Sequence, residues 1–278
     1  MGWNIVYSDA APVYGLLFPS NVSGSDQSAP YVALKFANPH SNGLPIWGPS
    51  GAGVTYIWEY TPAQQTGYYV TFWWSNDGSF LWDSGSSNTY VGAHPYPQSG
   101  DNTGTTHWWE IAGMASGADN INALSGSPKT VVYDVKYTQA LRITVNGDGT
   151  KTARFYTSLP SVANADVISA DAASTWGESN PPSPCLTFGD SPWYASFQHE
   201  RMSGLLGRVK IVAKSLSESD LLAEAADMSG LKTADGLANI WWGKTTFDSV
   251  DDLTCDYGTG RSFAWADASN KATRTLQG

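Results

Sequence analysis

The chain has 278 residues, of which only 14% are charged, with 15 Lys and Arg against 25 Asp and Glu. A formal charge of −10 leaves no basic surface to neutralise a phosphate backbone or an anionic bilayer, so nucleic-acid binding is excluded as a main activity. Its apolar runs fall short of the ~18 residues that cross a membrane, and 13% aromatics with 28 Gly and 15 Pro suit short strands joined by many turns.

In chain order, Asn4–Tyr7, Tyr31–Phe36 and Val54–Tyr60 read as strands between the Ser/Gly/Pro-rich loops 19–30 and 38–53. The first of these begins almost at Met1 with no basic and apolar leader, which fits a secreted enzyme stripped of its leader, export inside a particle or release by lysis. Tyr68–Trp74 alternates, with Tyr68, Val70, Phe72 and Trp74 on one side and Tyr69, Thr71 and Trp73 on the other. Val131–Tyr137 and Leu141–Val145 also alternate and predict half-exposed antiparallel strands. Asn146-Gly147-Asp148-Gly149, between Leu141–Val145 and Ala153–Thr157, predicts a hairpin. One helix stands out. Ser217 is placed to cap it, Asp220 is the carboxylate three positions on, and Leu216 and Leu221 occupy the staple positions. The predicted helix ends near Met228, with Gly230 as its stop. Many strands and one late helix predict an all-β antiparallel sandwich.

The stretch Gly207-Arg208-Val209-Lys210-Ile211-Val212-Ala213-Lys214-Ser215-Leu216-Ser217-Glu218-Ser219-Asp220-Leu221 resembles the closing pattern of laminin-G-like, concanavalin A-like jelly rolls, where a G-x-[VI]-x-[IV] strand leads into a Leu-Ser/Thr turn and a short acidic helix. The resemblance implies a jelly-roll sandwich over about residues 1–230, leaving 231–278 as a C-terminal extension that either packs on the sandwich or serves as an assembly element. It also implies a range of activities, from sugar-binding modules to glucanases, polysaccharide lyases and phage or surface adhesion proteins, so the fold leaves the chemistry open.

Aromatic residues concentrate in Tyr68–Ile111. Indole and phenol rings bury the flat C–H faces of sugars, while polar rims bind the hydroxyls. Trp74 and Trp109 share a side with apolar neighbours and read as core. Trp73 and Trp108 lie on the other sides of their strands, and with Glu110, Tyr90, His94 and Tyr96 they form the candidate glycan site. Alternation does not show whether those two sides coincide. The segment Gly92–Pro97 reads as a loop stiffened by Pro95 and Pro97. His94 and His107 lack flanking ligands at zinc spacing. Ca2+ is the one ion that the resemblance admits, with Asp77 and Asp190 as candidate oxygen donors and Asp251 with Asp252 as a further pair. Cys185 and Cys255 allow at most one disulfide.

The catalytic patterns of the resembled family fare worse. Glu110-Ile111-Ala112-Gly113-Met114 has one carboxylate where the glucanase motif needs two on a face. Gln198-His199-Glu200-Arg201 and Tyr137-Thr138-Gln139 hold the residue types of a lyase in a different order, and Lys136, Arg142, Arg154 and Arg208 are the cations available for a local basic groove. The expectation is a non-catalytic glycan-binding or adhesion protein, extracellular or on a virion surface, as a multicopy structural or decorating component of a virus particle. The alternative is a secreted polysaccharide-degrading enzyme. Expected partners are a glycan or polysaccharide, other virion or surface proteins and further copies of the chain, without nucleic acid or membrane insertion. Trp241, Trp242, Phe247, Phe263 and Trp265 of the extension are the candidate assembly anchors.

Overall fold

The computed structural model describes residues 12–19, 34–37, 53–67, 71–75, 90–99, 103–114, 123–124, 130–148, 151–161, 167–172, 185–189, 201–212, 214–230, 232, 240–244, 246–254, 262–265 and 268–277. Asn4–Tyr7, Asp77, Asp190, His199 and Cys255 lie outside these residues. The strands are β1 (Tyr14–Phe18), β2 (Leu34–Ala37), β3 (Val54–Pro62), β4 (Phe72–Ser75), β5 (Tyr90–Pro97), β6 (His107–Met114), β7 (Ala123–Leu124), β8 (Tyr137–Val145), β9 (Lys151–Tyr156), β10 (Val167–Ala172), β11 (Cys185–Phe188) and β12 (Gly204–Val212). After them come α1 (Glu218–Ala226), β13 (Ile240–Lys244), β14 (Ser262–Trp265) and β15 (Thr273–Leu276).

They form two antiparallel sheets. The first runs β10-β9-β8-β3-β12-β1-β15, with β13 also paired to β12, and the second runs β14-β2-β11-β4-β5-β6-β7. Alternate residues of each sheet meet in a shared core: Leu16, Tyr56, Trp58 and Tyr60 from the first, Phe72, Trp109, Ile111 and Phe188 from the second. Trp58 stacks on Phe72 at 5.1 Å and lies parallel to Phe155 at 6.1 Å, while Trp109 meets Tyr137 edge-on at 5.3 Å. Aromatic area and offset ring geometry therefore supply much of the core's cohesion. Among the described residues no helix is long and apolar enough to cross a membrane.

The outer side of the first sheet carries α1. Leu216, Leu221, Ala225 and Met228 pack on Ile57, Ala140 and Tyr156. The helix begins as the sequence predicts, with Ser217 Oγ accepting from the Asp220 amide at 3.2 Å and donating to Asp220 Oδ2 at 2.8 Å. Its end differs. Asp227, not the region of Gly230, closes it in extended conformation, because Lys210 Nζ from β12 binds the carbonyls of Glu224 (2.8 Å) and Asp227 (2.7 Å). A cation at the last carbonyls does here what a glycine would otherwise do.

Two further readings change. Val131–Lys136 is a turn segment: Asp134 takes φ 59° and its amide donates to the Pro62 carbonyl at 2.8 Å, so β8 starts at Tyr137 and continues unbroken through Val145. Gly92–Pro97 belongs to strand β5. Pro95 and Pro97 are tolerated because β4 pairs only with Tyr90–Ala93, so beyond Ala93 the strand has a ladder neighbour on the β6 side alone. The extension 231–278 supplies strands to both sheets, with β13 on β12, β14 on β2 and β15 on β1. Phe247 and Phe263, candidate assembly anchors, are buried in the shared core, so their apolar area is already covered within the chain.

Candidate functional site

Register decides what alternation left open. Phe72 pairs with Ala93, and Ala93 with Ile111, all three fully buried, so the row fixes which parity of β4, β5 and β6 faces the core. Trp73 pairs with Gly92 and Gly92 with Ala112, while His94 pairs with Glu110 and Tyr96 with Trp108. The positions of Trp73, Tyr90, His94, Tyr96, Trp108 and Glu110 therefore all fall on the parity opposite to the core row, which is the outer face of the second sheet.

The exposed part of this face is narrow. Tyr96 and Trp108 sit directly opposite each other and are half-buried, with Thr130 bridged to Trp108 on the next segment and exposed. A direct cross-strand pair brings side chains to about 5 Å at Cβ, close enough for the two rings to form one platform. Thr103, Thr105 and Thr106 are exposed on the connection between β5 and β6, which the Thr106 carbonyl closes by accepting from the Gln98 amide at 2.8 Å. Glu110, Gly92 and Thr187 belong to the same face but are buried, so Glu110 is not a surface carboxylate.

A histidine on the other side of β6 anchors this rim. His107 is fully buried, and its Nε2 lies 2.7 Å from the Gly67 carbonyl, which can only accept, so Nε2 carries the proton. Nδ1 meets the Tyr133 hydroxyl, which in turn lies 3.0 Å from the Thr105 carbonyl. Burial pushes the His107 pKa below its ordinary value, and the Gly67 carbonyl offsets this only in part. This link is not readable from the sequence, since Tyr133 reads as a strand residue and its partner is set by the turn at Asp134.

The remaining candidates fall elsewhere. Trp241 and Trp242 lie in β13, with Trp242 opposite Ile211. Trp265 is half-buried, donates Nε1 to the Val250 carbonyl at 2.7 Å and meets Phe18 edge-on at 6.3 Å. Among the described residues no group of three His, Cys, Asp or Glu could hold a metal ion. Asp251 pairs with Lys271 at 2.5 Å, and Asp252 Oδ1 accepts from the Thr254 amide at 3.1 Å. Cys185 opens β11 opposite Ser75.

Three of the four cations available for a local groove are committed to partners within the chain. Arg208 grips Glu59 with Nε and Nη2, both at 2.6 Å, and Lys136 adds a third contact at 3.0 Å. Burial works to raise the Glu59 pKa, but the Arg208 fork and Lys136 outweigh it and hold the carboxyl below its usual range. Arg142 donates to the Leu216 carbonyl at 3.0 Å and lies over the Tyr156 ring. Tyr137, the lyase candidate, is buried, and its hydroxyl accepts from the Val132 amide at 2.9 Å.

No protein-family model matches the sequence, and no curated protein matches it. Solved structures match at low identity. A native heptameric SAP-like pentraxin from Limulus polyphemus is 10% identical with a TM-score of 0.49, over 95% of each chain. A putative carbohydrate-binding protein from Bacteroides ovatus is 12% identical with a TM-score of 0.49, covering 95% of this chain and 60% of that one. The CBM40 of a Ruminococcus gnavus IT-sialidase, solved with α2,3-sialyllactose, is 13% identical with a TM-score of 0.44 over 76% of this chain and 96% of the other. The chain is an antiparallel two-sheet β-sandwich. Within it, the Tyr96–Trp108 pair occupies the outer face of the second sheet, and the helix occupies that of the first.

Proposed function

We propose that the protein binds glycans without transforming them, through the outer face of its second sheet. The observation that carries this reading is the half-exposed Tyr96–Trp108 pair, directly opposed across β5 and β6 and bordered by exposed threonines. Rings of this kind bury a sugar's C–H face, and hydroxyl side chains exchange hydrogen bonds with its edges. Trp73, at the same strand parity one row across Gly92, extends the proposed site, with His94 and Tyr90 on the strand between. The setting we propose is extracellular or on a particle surface, in several copies, where a shallow site gains strength by avidity.

A glycan array followed by calorimetry on the best ligand tests the reading. Trp108→Ala and Tyr96→Ala should each weaken binding by about tenfold or more, since stacking of one ring is worth on the order of 1.4 kcal/mol. No ligand on the array, or unchanged affinity in both variants, removes the site. Release of unsaturated uronates from an acidic polysaccharide would instead establish the enzymatic alternative.

A further inference from the structure

Three buried polar groups without a hydrogen-bond partner among the described residues gather where the chain enters β12. Arg201 is 1% exposed, and Nε, Nη1 and Nη2 are all unpaired. Ser203 Oγ and Gln65 Oε1 are unpaired too, on residues buried just as deeply. The three are neighbours in the fold: Gln65 Nε2 donates to the Arg201 carbonyl at 2.8 Å, and the Ala63 amide donates to the Ser203 carbonyl at 3.2 Å. Met202, between Arg201 and Ser203, packs into the shared core.

A guanidinium does not escape burial by losing its proton, as a lysine or histidine does. An ionised group held in the interior without a counter-charge takes up a large share of a domain's whole net stability. Two of the three buried carboxylates among the described residues are committed elsewhere, Glu59 of β3 to Arg208 and Lys136 and Glu224 of α1 to Lys210, and the third, Glu110, belongs to β6 of the second sheet.

We propose that Arg201 holds a small monovalent anion inside the fold, with the Ser203 hydroxyl as a second donor. The near-complete burial sets the class: the ion is a halide or an oxyanion of similar size, and not the carboxylate of a sugar acid or a peptide. Gln65 Oε1 is an acceptor and takes the hydrogen of a water that enters with the ion. The net charge of −10 repels anions in general, so binding depends on this one guanidinium and on the hydrogen bonds it offers.

Sodium bromide is the probe, and the full chain is used throughout. Crystals soaked in bromide should show an anomalous peak within about 3.5 Å of the Arg201 guanidinium nitrogens. In solution, replacing sodium gluconate by sodium bromide at constant ionic strength should raise the melting temperature of the wild type. The rise should be about 5 °C if bromide is present at about a hundred times its dissociation constant. Arg201→Met should lose that rise. No anomalous peak, a side-chain carboxylate seated on the guanidinium, or an equal rise in Arg201→Met would each overturn the proposal. If Arg201→Met fails to fold, the wild-type diffraction measurement decides alone.

Discussion

Replacing Lys210 by methionine tests how the helix is held to the first sheet. Lys210 is 2% exposed and its ammonium donates to Glu224 Oε2 (2.8 Å) and to the carbonyls of Glu224 and Asp227. Lys210→Met leaves the fully buried Glu224 carboxylate with the Lys232 amide, 2.8 Å from Oε1, and strips two carbonyls of their donor. Breaking a buried pair from one side costs about 3–5 kcal/mol, nearly a thousandfold in the folding equilibrium, and lowers a urea midpoint by roughly 1.3 M at a slope of about 3 kcal/mol/M. The pair itself is close to break-even: burial lowers the Lys210 pKa, and Glu224 recovers only part of that. Lys210→Met with Glu224→Met should therefore return to within about 1.5 kcal/mol of the wild type, the residue being the lost acceptor of the Lys232 amide. Urea unfolding of the wild type, both single variants and the double variant gives the coupling energy, expected to exceed about 2 kcal/mol. A coupling near zero, or a single variant that costs less than about 1 kcal/mol, would refute the reasoning.

Gly204→Ala should destabilise by about 3–5 kcal/mol, because Gly204 has φ 125° and a Cβ there would stand 2.2 Å from the Thr61 carbonyl oxygen; urea unfolding within 1 kcal/mol of the wild type would contradict this. Glu59 has a folded pKa below its unfolded one, so its contribution is present above the unfolded value near 4.5 and is lost as pH falls through the folded value. Glu59→Gln should accordingly flatten the acid limb of stability against pH in that window, and an unchanged limb would show that Glu59 does not set it. Ser217→Ala removes the cap of α1 and should cost about 1 kcal/mol, with faster amide exchange in the first turn of the helix as the local readout.

What the sequence made legible was local. The cap at Ser217, the staple of Leu216 on Leu221 and the turn between Leu141–Val145 and Ala153–Thr157 each involve residues a few positions apart, and all three are found. Strand β1 was hidden by Gly15, which reads as a turn residue but is required because a Cβ there would come within 2.5 Å of the Leu206 carbonyl oxygen. Strand β15 was hidden by its own exposure: Thr-Arg-Thr-Leu at a sheet edge carries no apolar alternation. In Val131–Lys136 an alternating pattern was misleading, because the left-handed Asp134 turns the chain before a strand can form. The candidate site divides the same way. Its residue types and their parity within each strand were readable, whereas the coincidence of the Trp73 and Trp108 sides depends on the register through Gly92 and Ala112, which one strand's pattern does not contain.

Strand β1 pairs on one side with Gly204–Leu206 and on the other with Thr273–Leu276. Both neighbours are thus made long after β1 itself, and the last only when residue 276 has been added. During synthesis the segment Tyr14–Phe18 leaves the ribosome with its ladder groups and its Leu16 and Phe18 side chains uncovered, and no earlier part of the chain can satisfy them in the native arrangement. Closing loops of this length carries a large entropic cost before any contact is gained, so the fold belongs to the slow, non-local class. The first sheet is completed only once residue 276 has emerged, and until then β1 needs protection from pairing with other nascent chains on a polysome.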